Sequence, residues 1–247
     1  MPRVLRDLVK RALGFAGRTG VGKNLVNAAL QADPGRARYT SVERWPETLE
    51  GFEDLAFLFS SNQLSHGIVS LQLDEAALLY RLAHRVPEGS AVAEIGRFKG
   101  GSTLLLASAL PEGVDLWSYD LHVALRADLT GPQLDAELRT ALDRYGLSGC
   151  VHLVVGDSRT VEPPPLPCAL VFVDGDHTYE GARADHERWS ELVSPGGHLL
   201  FHDAVDVGGY GNHYPGIARL VAEIERGDAR FERRPDAGSI AHFTRLR

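Results

Sequence analysis

Five side chains able to bind a cation or move a proton fall into two tight groups: Asp174, Asp176 and His177 in the run V-F-V-D-G-D-H-T-Y-E, and His202 and Asp203 in S-P-G-G-H-L-L-F-H-D-A. Each group directly follows an apolar, β-branched or aromatic run, Ala169 to Val173 and His198 to Phe201. Successive parallel strands of an open sheet bring their carboxyl ends to one crevice, so these two runs deliver carboxylates and imidazoles to the same place. Such a donor set suits a hard divalent ion, Mg²⁺ first, with Mn²⁺ admitted by the imidazole. Two carboxylates that close repel without a cation, and one of them is driven toward its protonated form. The competing reading of D-G-D-H is structural, an Asx-type turn leading into a helix cap.

The elements that must position these groups begin at Ala91 to Thr103, A-V-A-E-I-G-R-F-K-G-G-S-T. Val92 to Ile95 is short and apolar, as a buried parallel strand is, and Ser102 to Leu110 has the character of a helix stopped by Pro111. Gly96, Gly100 and Gly101 between them permit a sharp turn and a close approach of ligand to bare backbone. The helix start at Ser102 adds unpaired N–H groups. The spacing is not the G-x-G-x-x-G dinucleotide fingerprint. Two acids nonetheless mark a nucleoside site: Glu94 ends the first strand, and Asp120 ends the next, Val114 to Tyr119, where an acid can hold ribose hydroxyls.

The strand-then-helix rhythm continues downstream. A helix over Gln133 to Tyr145 ends at Gly146, and a third strand, Val151 to Val155, closes on Gly156-Asp157-Ser158. After the fourth strand comes a helix from Tyr179 to Val193, then the S-P-G-G turn into the fifth strand. The glycine-rich, aromatic loop Asp206 to Gly216 suits a substrate loop, and a helix Ile217 to Arg226 precedes a hairpin around Pro235-Asp236-Ala237-Gly238. Upstream, Asp74 is expected to cap a helix of Glu75 to Arg85. The pattern predicts an α/β, doubly wound, mostly parallel sheet over residues 73–247, preceded by an N-terminal helical extension over 1–72.

Glu94-x-Gly96-x-x-x-Gly100 and the two runs around Asp174 and Asp203 resemble the class I S-adenosylmethionine-dependent methyltransferases, in particular the metal-assisted small-molecule O-methyltransferases of the macrocin type. The likeness extends from about Leu73 to the C-terminus, and Phe98 stands where the commoner motif has a glycine. The resemblance implies a seven-stranded sheet with an antiparallel last strand, and methyl transfer to a hydroxyl of a sugar or other small natural product. It implies that S-adenosylmethionine is held by Glu94, Gly96, Gly100, Ser102, Asp120, Asp157 and Asp174, with Asp157 on the adenine amino group. Asp174 and Asp203 match metal ligands and His177 matches the proposed base. Asp176 is open as a ligand, a base or a support for His177. His202 departs from the family, which usually carries an acid there, so either the third ligand is an imidazole or the metal site is weakened. A neutral hydroxyl attacks a sulfonium methyl poorly and must lose its proton, which is where a divalent ion and a general base contribute. The rival readings are a metal-independent N- or O-methyltransferase with His177 or His213 as base, a hydroxylase, and a non-catalytic cofactor-binding protein.

Composition narrows the partners. The 247 residues are 44% hydrophobic and 24% charged with a net charge of −7, which suits a sizeable core and lacks the basic field of a nucleic-acid binder. The two cysteines suggest neither a disulfide framework nor a zinc site. No uninterrupted apolar run reaches membrane-spanning length and the amphipathic start lacks a signal-peptide core, so a cytoplasmic protein is expected, with no membrane partner. A small hydroxylated acceptor is the expected partner, with homo-oligomerisation left open. Gly17 to Lys23 fits G-x-x-x-x-G-K, but Asn24 stands where a P-loop needs Ser or Thr. Phe52 to Gly67, with His66, is dense in aromatics and leucines and is expected to form a lid over the acceptor.

Overall fold

The computed structural model describes residues 71–122, 131–207 and 214–247. The expected lid and the P-loop-like run lie outside them, as do Tyr210 and His213 of the glycine-rich loop. Strand β1 (Ala91–Ile95) is buried at every position, as a strand covered on both faces must be, and this explains its apolar character apart from Glu94. It pairs in parallel with β2 (Asp115–Asp120) on one side and β4 (Cys168–Val173) on the other. Adding β3 (Val151–Val155), β5 (Val193–Phe201), β6 (Phe231–Ala237) and β7 (Ile240–Arg245) gives the order β3-β2-β1-β4-β5-β7-β6. The first five strands run parallel, and β7 lies antiparallel to both β5 and β6. The doubly wound, seven-stranded, mostly parallel architecture is the one expected.

Helices cover both faces. Helix α1 (Leu73–Ala83), α2 (Gly101–Ala109) and α3 (Gly131–Arg144) pack Leu79, Leu105 and Leu138 with Leu116, Leu170 and Phe172 of the sheet. On the other face α4 (Tyr179–Trp189) and α5 (Pro215–Gly227) pack Trp189, Ile217 and Ile224 with Val171, Phe201 and Phe243. Each fully buried Leu or Phe contributes about 1.5 to 3 kcal/mol, so two such layers hold the strand ends rigidly in place.

The structure moves several boundaries, each for a local reason. Helix α1 starts at Leu73 and not after Asp74, because Gln72 is the cap: its N–H donates to Glu75 Oε2 at 2.6 Å. Helix α4 ends at Trp189 and tightens into a 3₁₀ turn, Ser190–Leu192, in place of continuing to Val193. Strand β5 already begins at Val193, and the Ser-Pro-Gly-Gly turn is an insertion within it: Cys168 pairs with Val193 but Leu170 pairs with His198. The final hairpin turns at Gly238 and Ser239, and β6 runs through Pro235 to Ala237 with a register shift after Arg234.

Candidate active site

The glycine turn joins β1 to α2. Gly96 has φ +86°, and a Cβ there would lie 2.2 Å from the carbonyl oxygen of Asp174, so the end of β1 touches the end of β4 directly. Gly100 caps α2 with φ +80°, and a Cβ on it would strike the Leu138 side chain at 2.4 Å. Phe98, between the two, also takes a left-handed φ of +47°, the conformation a glycine would adopt freely at this point. Asp120 compensates: its Oδ2 accepts the N–H groups of Arg97 (3.1 Å) and Phe98 (2.9 Å), and its Oδ1 accepts that of His122 (2.6 Å). A carboxylate offers about four acceptor sites, so capacity for a ribose hydroxyl remains.

Glu94 is fully buried, and its Oε2 accepts from Thr103 Oγ1 and Ser118 Oγ, both at 2.5 Å. Burial raises its pKa against the hydrogen bonds of Ser102, Ser118 and Thr103 that oppose the shift. It thus ties β1 to the first turn of α2 and to β2 from below the turn. Arg97 does the same from the other side, although nothing in its local sequence announces it. Its guanidinium is buried and forms a forked pair with Asp135 of α3, while also donating to the carbonyls of Ser118 and Val154.

Exposed apolar side chains stand at the carboxyl ends of three adjacent strands: Phe98, Leu121 and Val155. They leave an apolar edge beside the bare backbone of the turn. Asp157, after β3, is engaged locally. Arg159 Nε reaches both of its oxygens, at 2.8 and 3.0 Å, and these hydrogen bonds hold its pKa near about 2.

Asp174, His177 and Asp203 converge beside this turn. One atom from each lies within 4.8 Å of the others, and this is the one such metal-competent trio among the described residues. His177 Nε2 is 3.2 Å from Asp203 Oδ2 and 3.5 Å from Asp174 Oδ1, yet it is buried without a well-formed hydrogen bond. Burial opposes its charge, but the two carboxylates prevail and lift its pKa to about 9. Asp203 sits at φ +54°, a left-handed conformation that Asp tolerates. The ring of Tyr214 lies over that of His177, with centroids 4.4 Å apart.

The geometry places the two histidines differently from the expectation. His202 is not a member of the trio; it is turned inward, with Nδ1 3.0 Å from Asp174 Oδ1 and Nε2 3.3 Å from Glu75 Oε2. Burial again opposes its charge, and those flanking carboxylates hold its pKa well above the usual imidazole value. His177, expected as the base, stands in the trio. Asp176 is exposed and outside the trio, since its Oδ1 accepts the Thr178 N–H at 2.9 Å in an Asx turn. Thr178 then caps α4 by accepting from the Gly181 N–H. In D-G-D-H-T the structural and chemical readings therefore both apply, to different residues.

Glu75 was not foreseen. It is buried under the trio, and its Oε1 accepts from both the N–H and the hydroxyl of Ser239 at 2.7 Å. Burial favours its neutral form, but His202 and the N–H donors of Gln72 and Ser239 hold its pKa below the ordinary value.

Residues 93–204, which run from β1 to just beyond Asp203, match the family described as a methyltransferase domain. That segment is similar to the S-adenosylmethionine-dependent methyltransferases. The fold is also similar to that of known methyltransferase structures. The O-methyltransferase TomG from Streptomyces achromogenes, in complex with S-adenosylmethionine, is 18% identical with a TM-score of 0.58, over 80% of this chain and 92% of that one. The O-methyltransferase from Bacillus cereus, in complex with S-adenosylhomocysteine, is 18% identical with a TM-score of 0.55, over 80% and 93%. A methyltransferase from Geobacter sulfurreducens is 17% identical with a TM-score of 0.57, over 80% and 90%. The matched segment thus includes the glycine turn and the whole trio, while Glu75 and Ser239 lie on either side of it. No helix among the described residues is long and apolar enough to cross a membrane.

Proposed function

We propose that the protein transfers the methyl group of S-adenosylmethionine to a hydroxyl of a sugar or other small natural product, with a divalent cation held by Asp174, His177 and Asp203. The observation that carries this reading is the contact between Gly96 and Asp174, which sets the cofactor turn against the trio with no residue between them. Charge balance supports the cation. Three carboxylates, on Glu75, Asp174 and Asp203, face two imidazoles, and Glu75 and Asp174 on either side of His202 favour its protonated form. A divalent ion in place of the His177 proton brings the group to neutrality and binds an Nε2 that the two carboxylates hold only at ion-pair distance. The donors, two oxygens and one imidazole nitrogen, suit Mg²⁺ or Mn²⁺.

Bound there, the cation supplies the positive charge that eases deprotonation of an acceptor hydroxyl, and S-adenosylmethionine supplies the electrophilic methyl. The chain's own residues orient and enclose. Asp120 and the glycine turn, braced from below by Glu94, hold the cofactor, and Tyr214, partly exposed beside His177, offers an aromatic face for a sugar ring. Alignment of methyl and oxygen can supply several kcal/mol of the barrier. The net charge of −7 favours a small neutral acceptor over nucleic acid. The test is a mass-shift screen with methyl-labelled cofactor and a panel of hydroxylated metabolites, each with and without chelator. Label appearing on hydroxyls and vanishing with chelator supports the proposal; label confined to amines, or indifferent to chelator, contradicts it.

A further inference from the structure

Each oxygen of Glu75 leads to a different carboxylate of the trio. Oε2 lies 3.3 Å from His202 Nε2, and the opposite nitrogen of that ring is 3.0 Å from Asp174 Oδ1. Oε1 accepts from the Ser239 hydroxyl at 2.7 Å, and the same hydroxyl oxygen accepts the Asp203 N–H at 3.2 Å with Asp203 Oδ1 3.4 Å away. The Ser239 carbonyl then takes the N–H groups of Ala204 and Val205, so the backbone leaving Asp203 is fastened to one residue. The β6–β7 turn is shaped around the glutamate: Gly238 has φ +53°, and a Cβ there would lie 2.5 Å from Glu75 Oε1.

We infer that Glu75 is a positioning residue for the active site, fixing Asp174 through His202 and Asp203 through Ser239, so that one buried carboxylate on α1 sets the spacing of both trio carboxylates. His202 contacts Asp174, and Glu75 places a negative charge behind that imidazole. The two arms differ in kind. The His202 arm orients a side chain, whereas the Ser239 arm orients backbone, so loss of Glu75 frees both and loss of the Ser239 hydroxyl frees only one. Groups that orient metal ligands in this way typically contribute about 10- to 100-fold to metal affinity or activity.

This inference rests on the cation reading above, and the test separates the two. Mn²⁺ alone is titrated into the full-length protein and followed by electron paramagnetic resonance, for the wild type, Glu75→Gln and Ser239→Ala. S-adenosylhomocysteine affinity and kcat are measured alongside. The expected result is Mn²⁺ affinity lower by about 10- to 100-fold in Glu75→Gln and by less in Ser239→Ala, with S-adenosylhomocysteine affinity within twofold of wild type in both. A folded Glu75→Gln protein with wild-type Mn²⁺ affinity overturns the inference, as does equal loss of Mn²⁺ and S-adenosylhomocysteine binding, the signature of general damage. Should Glu75→Gln fail to fold, unchanged Mn²⁺ affinity in Ser239→Ala overturns it. A wild type that binds no Mn²⁺ defeats the cation reading instead, and positioning is then judged by kcat: a fall with cofactor affinity kept sustains it, and no fall overturns it.

Discussion

Arg97 and Asp135 meet in a forked ion pair beneath the glycine turn, Nε to Oδ1 and Nη2 to Oδ2, both at 2.7 Å. Burial would push the Asp135 pKa up, but the Arg97 guanidinium holds it below the usual value. Removing one partner of a buried pair leaves the other charge uncompensated, at a cost of about 3 to 5 kcal/mol. Arg97→Met is therefore expected to lower unfolding stability by that order in urea titrations and to loosen the turn that Arg97 also tethers to β2 and β3. A loss under about 1 kcal/mol would show that the fork contributes no more than an exposed pair.

The parts of this site that the sequence reveals are those made by one strand and its following turn. Gly96, Asp174 and Asp203 stand at the ends of apolar runs, and parallel topology alone sends them to one crevice. Glu75 and Arg97 escape because their partners are distant in the chain: His202 is 127 residues from Glu75, and Asp135 is 38 residues from Arg97. The exchange of roles between His177 and His202 escapes for a different reason. Both follow strand ends, and only the contacts of the folded rings decide which faces the crevice and which Glu75. Asp157 and Asp176 carry a third lesson, since a short acid after a strand serves a local turn as readily as a ligand, and Asp176 does so here.

Asp120 tests the cofactor assignment. It clamps three backbone N–H groups of the turn and its surroundings, so its removal withdraws both a ribose acceptor and the brace on the strained Phe98 backbone. Asp120→Ala is expected to weaken S-adenosylhomocysteine binding in calorimetry by at least the value of one charged hydrogen bond, about 1.5 to 3 kcal/mol. Unchanged affinity in a folded variant would remove Asp120 from the cofactor site.

His177 makes the site pH-dependent in a stated direction. Its pKa rises from 6.5 to about 9 on folding, so its contribution to stability is complete below pH 6.5 and is lost as pH climbs through 9 in the cation-free protein. The same proton must leave Nε2 before that nitrogen can bind a cation. Apparent Mn²⁺ affinity should accordingly rise by up to about tenfold per pH unit between pH 7 and 9, and His177→Ala should flatten that rise while lowering affinity at high pH. A wild-type affinity that is level across this range would exclude His177 Nε2 as a ligand.

The cation itself is tested most sharply at Asp203, because the charge left by each change differs. In wild type without a cation, His177 Nε2 lies between the two carboxylates, 3.2 Å from Asp203 and 3.5 Å from Asp174, while His202 Nδ1 lies 3.0 Å from Asp174 and 3.6 Å from Asp203. Asp203→Asn keeps the size of the side chain and removes one negative charge, so a protonated His177 then suffices for Asp174 and the demand for a divalent ion falls. If the reaction needs the cation, this variant binds S-adenosylhomocysteine normally, binds Mn²⁺ weakly and turns over nearly nothing. If the reaction needs only a neutral His177 as base, the variant lowers the His177 pKa by removing a carboxylate neighbour and is faster than wild type at pH 7. Chelator treatment checks the same point in the unaltered protein: turnover should cease and return with Mg²⁺ or Mn²⁺. Full activity in protein verified metal-free by elemental analysis, together with an active Asp203→Asn variant, would reassign the chemistry to His177 alone.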